Sequence, residues 1–162
     1  MTPIVLPVQP LTPSAFAPFG EVLALEGADS FPINGGRTQR FHALGRVRCL
    51  GRDANVVLSI FRGQPLVPPV LDLMERHPLG SQAFMPFSGS AYWVIVAPPG
   101  VFDPDAIQAF LARGDQGVNY FAGTWHAQLL PCDPDADFLV VDRDGAGQNC
   151  DIVRLKPPRT WC

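Results

Sequence analysis

The sequence predicts an all-β fold, a mainly antiparallel barrel with a few short helices, in a single domain over residues 1–162. Three observations predict it. The 18 prolines and 15 glycines recur every few residues, and proline both removes a helix donor and restricts the residue before it. At least five segments are rich in β-branched and aromatic residues and are bounded by turn residues. No repeat, low-complexity tract or linker divides the chain, which at 162 residues is long enough for one buried core.

In chain order, the first element is a short helix after Thr12, where Thr-Pro-Ser opens "SAFAPFG" and Gly20 closes it. The strands follow: "NVVLSIFR" (Asn55 to Arg62), "SQAFMPF" (Ser81 to Phe87), "SAYWVIVA" (Ser90 to Ala97), "GTWHAQLL" (Gly123 to Leu130) and "DFLVVDR" (Asp137 to Arg143). "PPVLDLMERH" reads as one or two helical turns. "DPDAIQAFLARG" reads as a second helix, with Asp103 as cap, Pro104 in the first turn and Gly114 at the end. The aromatic residues Phe84, Phe87, Tyr92 and Trp93 read as core.

A net charge of -3, a pI near 5.5 and the absence of a basic run argue against a nucleic-acid partner or an anionic membrane surface. No stretch approaches the roughly 20 apolar residues that span a bilayer, and "MTPIVLPVQPLTP" lacks the pattern of a signal peptide, so a cytoplasmic location is expected. Cys49, Cys132, Cys150 and Cys162 form no C-x-x-C pair and read as reduced, mostly buried thiols.

Two segments carry chemistry. In "ERHPLGSQAFMPFSG", Glu75 and His77 share a face if that stretch is extended, and Gln82 enters the strand that follows. In "YFAGTWHAQLL", Gly123 marks a turn, and Thr124, His126 and Gln128 alternate with Trp125, Ala127 and Leu129. His42, in "QRFHALG", reads as an ordinary core or surface histidine. Together the two segments resemble the paired motifs of the cupin barrels, which meet at a shared metal. In that resemblance Glu75 takes the place of the first histidine, His77 the second, Gln82 that of the acid and Phe121 that of the second motif's proline. The candidate metal ligands are therefore His77, Gln82 and His126, with Glu75 as the carboxylate beside them; imidazole and oxygen donors suit nickel, zinc or iron.

A closer resemblance rests on "ERHPLGSQAF", "GVNYFAGTWH" and "DFLVVDRDGAGQNCD", with "FPINGGRTQRFH" and "FRGQP" before them. In that order and at these separations they resemble the ureidoglycolate lyase (ureidoglycolate hydrolase) family of allantoin breakdown, over nearly the whole chain. The resemblance implies a cupin-like barrel, a homodimer, nickel as cofactor, and cleavage of ureidoglycolate into glyoxylate and urea. Family members commonly read "GVNYHRGTWHHP", so Phe121 and Ala127 here stand where relatives carry histidine; Pro32 also replaces a histidine of some relatives.

The substrate carries a carboxylate, a hydroxyl and a ureido nitrogen on one carbon, so cleavage calls for a base, an acid and a carboxylate clamp. Arg62 is the candidate clamp, because a guanidinium binds a carboxylate through two parallel hydrogen bonds. His126 is the candidate base or a metal ligand, and Glu75 orients His77 or protonates the leaving nitrogen. Asn34 is a candidate for the urea group, although an asparagine before Gly35 and Gly36 also suits a plain turn. Gln82, besides its place among the candidate metal ligands, and Asp142 are further candidates for substrate binding. The alternatives are a non-catalytic binding or sensor protein for a small hydroxy or oxo acid, and an enzyme of the same fold acting on another hydroxy acid.

Overall fold

A computed structural model describes residues 1–161; Cys162 lies outside the described residues. The chain runs through β1 (Ile4–Val5), β2 (Val8–Pro10), α1 (Pro13–Phe16), β3 (Gly20–Leu23), β4 (Ser30–Ile33), β5 (Thr38–Phe41), β6 (Asn55–Gly63), β7 (Val70–Arg76), β8 (Gln82–Pro86), β9 (Tyr92–Ala97), β10 (Gln108–Ala112), β11 (Gly117–Tyr120), β12 (Trp125–His126), β13 (Leu130–Pro131), β14 (Ala136–Asp144) and β15 (Asp151–Thr160). One sheet has the order β1-β15-β7-β12-β9-β10-β2, with β13 also on β9; a second has the order β3-β11-β8-β14-β6; β4 and β5 form a hairpin. Among the described residues only β1 with β15 and β2 with β10 pair in parallel, so the expected antiparallel, cupin-like β architecture with few short helices is what the chain forms.

The core explains the layering. Phe84, Val118, Phe138 and Val140 from the five-stranded sheet meet Tyr92, Val94, Val96 and Phe110 from the larger one, with Phe16 and Phe19 closing the end. The other face of the larger sheet is also buried, where Ile95, Ala97, Ala109, Trp125, Leu155 and Trp161 form a second cluster. A strand buried on both faces needs no polar alternation, and "YWVIVA" of β9 has none.

All five predicted strands form, although "GTWHAQLL" yields two short ones, β12 and β13. Thr12 caps α1 as expected, its hydroxyl accepting from the Ala15 amide at 3.3 Å. Two helix expectations are overturned. In "DPDAIQAFLARG" Asp103 caps only a single 3-10 turn, Pro104–Ala106, and β10 follows. Five residues of β10 pair with β9, and this pairing, together with burial of Ala109, Phe110 and Ala112, outweighs a helical pattern of apolar spacing. "PPVLDLMERH" likewise becomes β7, held between β15 and β12. Phe84 and Tyr92 are core and Trp93 is half-buried, but Phe87 is exposed where the chain turns out of β8. The thiols are not mostly buried either: Cys132 and Cys150 are exposed and Cys49 is half-buried.

Candidate active site

Strand alternation places the two central residues. Trp125 and Met74 pack into the second cluster, so their neighbours His126 and Glu75 point to the opposite face, toward the five-stranded sheet. His126 and Glu75 are direct partners across β12 and β7. His77, just beyond β7, is brought to them by the turn before β12: Gly123, at φ 83°, donates its amide to the His77 carbonyl at 2.9 Å. Thr124 fixes the same turn from below, its hydroxyl donating to the Phe19 carbonyl at 2.8 Å.

Both imidazoles are held with a defined nitrogen facing inward. His77 Nδ1 lies 2.6 Å from the Asn149 carbonyl and His126 Nδ1 lies 2.9 Å from the Ala127 carbonyl. A carbonyl oxygen only accepts, so each Nδ1 carries a proton, and Nε2 is the nitrogen each imidazole has left for other partners. Both Nε2 atoms are buried and make no hydrogen bond. The two rings lie 5.2 Å apart, His77 Nε2 is 3.8 Å from Glu75 Oε1, and ligand atoms of Glu75, His77 and His126 all fall within 4.8 Å of one another. Burial pushes His126 down to about 3, a smaller opposing effect coming from its bond to Ala127; it is neutral throughout the ordinary pH range. A neutral imidazole with a free lone pair is the form a metal requires, whereas so weak a base accepts protons poorly.

Tyr120 was not singled out by its sequence context, yet its ring stacks on His126 at 4.5 Å with an interplanar angle of 4°. It is buried, and burial followed by the charge of Glu75 raises its phenol above the ordinary range. The clue is in "GVNY": with Val118 in the core, Tyr120 two residues later shares its inward face. Asn149 was also missed; besides holding His77, its side-chain oxygen accepts from the Leu79 amide at 2.7 Å.

A cleft of about 400 Å³ opens beside this cluster, lined by Arg62, Glu75, Gln82, Phe84, His126 and Gln128 among others. Among the described residues of its lining, Glu75 is the one acid and Arg62 the one cation. The guanidinium of Arg62, however, already grips Asp137 through bonds of 2.7 and 2.8 Å, and by alternation it shares the outward face of β6 with Leu58 and Ile60. It stands at the rim rather than in the interior. Gln82 faces inward with Phe84; its Nε2 donates to Asp142 Oδ2 at 3.1 Å, while its Oε1 is buried and unpaired. His77 and Asp142 line a second cavity of about 400 Å³, with Arg143 and Asn149. Arg143 is tied to the carbonyls of Leu50 and Ala146, both at 2.6 Å, and serves the loops.

Asn34 is not brought to the cleft. It sits at the tip of the β4–β5 hairpin with φ 55°, its side chain bonded to Thr38 at 3.3 Å, as turn chemistry requires. Of the two positions where histidine was expected from the family pattern, Ala127 lines the cleft and Phe121, 38% exposed, does not.

The family described as ureidoglycolate lyase matches residues 3–161. A Burkholderia cepacia protein named ureidoglycolate lyase is 54% identical over 157 residues, covering 96% of this chain and 88% of its own length. Proteins of the same name from Azotobacter vinelandii and Rhizobium etli are 48% and 50% identical, covering 91% and 96% of this chain and 90% and 95% of theirs.

Proposed function

Because this chain belongs to the ureidoglycolate lyase family, we propose that it is an enzyme that cleaves ureidoglycolate into glyoxylate and urea, with the chemistry centred on Glu75, His77 and His126. The observation that carries the assignment of the site is the convergence of two unpaired, buried imidazole nitrogens and a carboxylate beside a cleft. A sensor protein has no need of such a centre, and the comparisons favour the lyase.

The three groups fit a divalent metal: both imidazoles offer a lone pair fixed by a bond at the other ring nitrogen, the pattern of metal-binding histidine. Glu75, His77 and His126 would hold it, nickel by family resemblance. Such a metal supplies Lewis acidity toward the substrate's oxygen atoms.

The elimination is neutral in protons. The hydroxyl O–H and the C–N bond break, the carbonyl of glyoxylate and a new N–H of urea form, and one group that carries a proton from oxygen to nitrogen is enough. Glu75 is that group, as the only acid lining the cleft; a carboxylate has about four lone-pair sites and serves more than one partner. Arg62, at the rim, takes the substrate carboxylate with the N–H groups Asp137 leaves open, for a guanidinium has five. The natural context is allantoin and purine breakdown in the cytoplasm; unbridged Cys49 and Cys150 suit a reducing compartment. The residues act as one domain, and two copies pair as a homodimer across the outward face of β6, where Val56, Leu58 and Ile60 are 51%, 72% and 56% exposed.

The direct test is product stoichiometry. Purified protein given ureidoglycolate is expected to release glyoxylate and urea in equal amounts, faster than the uncatalysed breakdown, and no ammonia. Ammonia with carbon dioxide would instead mean attack at the ureido carbonyl.

A further inference from the structure

Among the described residues lining the cleft, one buried polar side-chain atom remains without a partner once the metal-binding cluster is set aside: Oε1 of Gln82. We propose that this oxygen receives an N–H of the substrate's ureido group, and that Asp142 is the positioning residue that keeps it turned to do so. This rests on the lyase reading above.

The argument begins with register. Phe84 on β8, Val118 on β11 and Val140 on β14 all face the core. Two residues along each strand, Gln82, Tyr120 and Asp142 therefore face the same way; Tyr120 is the direct cross-strand partner of Gln82. Gln82 is only 7% exposed, too buried for water to compensate its amide freely. A carboxylate only accepts, so the 3.1 Å contact with Asp142 Oδ2 fixes Nε2 on that side and turns Oε1 away from it. The result is an acceptor of settled polarity in the lining of a cleft that also holds Glu75 and His126.

Polarity then selects the ligand. Glyoxylate, as the aldehyde that cleavage forms, presents only acceptor oxygens to this position, which would leave the Gln82 oxygen unpaired. A ureido group carries three N–H bonds and presents donors wherever its nitrogens lie. It meets the need at the leaving-group end, where the departing nitrogen gains a second N–H as the C–N bond breaks. Discrimination of this kind is large because rejecting the wrong partner leaves a buried polar group unsatisfied.

The test uses the metal-loaded enzyme, with Gln82→Leu, Asp142→Asn and the pair Gln82→Glu/Asp142→Asn. Gln82→Leu is expected to lower kcat/KM for ureidoglycolate by about ten- to a hundredfold, to abolish inhibition by added urea, and to leave inhibition by glyoxylate unchanged. Asp142→Asn lets the amide turn over and is expected to show the same pattern more weakly. The double substitution restores a fixed acceptor, since the new carboxylate accepts from the new amide and presents its other oxygen to the cleft; it is expected to recover urea inhibition that Asp142→Asn loses. Loss of metal from Gln82→Leu, with glyoxylate and ureidoglycolate weakened alike, would make Gln82 a metal ligand and overturn the proposal. Unchanged kinetics in a folded Gln82→Leu protein would overturn it too. Should the unsubstituted protein fail to turn over ureidoglycolate, the lyase reading falls by itself, and calorimetric titration with urea decides Gln82 separately: binding that the leucine variant lacks supports it, and equal or absent binding refutes it.

Discussion

The carbonyls of Asn149 and Ala127 each take one imidazole proton, and so decide which nitrogen of His77 and His126 is left for chemistry. Metal dependence follows. Extensively dialysed protein is expected to lose activity and regain it with nickel or manganese, and His126→Ala to lose stoichiometric metal binding; full activity without metal would leave the cluster a purely organic site. Tyr120 holds the His126 imidazole through its stacked ring. Tyr120→Phe keeps the stack and is expected to bind nickel within a few-fold of the parent, whereas Tyr120→Leu is expected to lose about ten- to a hundredfold in affinity, the usual range for groups that orient ligands. Arg62→Ala is expected to cost about ten- to a hundredfold in kcat/KM, since the lost contact is charge-assisted. At this scale Glu75, His77, Gln82 and His126 were legible, because polar residues in otherwise apolar strands stand out. Tyr120 and Asn149 were not, because an aromatic ring and a loop amide announce nothing until the fold sets a histidine beside them. Asn34 carried two readings because a turn and a urea-binding site favour the same residue, and it stands in the turn.

Among the elements, β12 has only two residues, yet it carries His126 and joins β7 to β9. Its pairing with both neighbours, not its length, gives it a place. The strands read correctly from sequence are those with β-branched or aromatic runs. β10 and β7 were mistaken for helical segments because alanine, leucine and glutamate suit helices, and only pairing in the sheet reverses that preference. Phe110 measures what that pairing secures. Fully buried, with its ring 5.7 Å from Phe16 and 6.1 Å from Phe19, it should cost about 3–5 kcal/mol when truncated to alanine, read from denaturant midpoints. At the sheet's margin, nine-residue β6 is an edge strand with an apolar outward face, a feature that ordinarily calls for cover. Leu58→Lys is expected to shift the protein to monomer in sedimentation without loss of fold; an unchanged mass would move the homodimer contact elsewhere.

For the whole molecule, His126 makes stability depend on acid. Unfolded chains protonate histidine below about 6.5, but the folded chain holds this one neutral down to about 3. Between those values the unfolded state binds more protons, so stability falls as pH falls, by at most about 1.4 kcal/mol per unit. Denaturant melts at pH 7, 5.5 and 4.5 are expected to show the decline, and His126→Gln to flatten it. The overall β class was legible because proline and glycine leave no room for long helices. The burial of both faces of the larger sheet was foreshadowed only by β9. That double burial also sorts the chromophores. Trp93, Trp125 and Trp161 all pack with the second cluster, while Tyr92 and Tyr120 lie in the first, so nature has given the two layers different optical labels. Emission excited at the red edge of indole absorption watches the outer layer alone, and second-derivative tyrosine absorbance watches the catalytic one. Superimposable melting curves would mean that the layers come apart as one cooperative unit; an earlier tyrosine transition would mean that the cleft loosens while the far layer still stands.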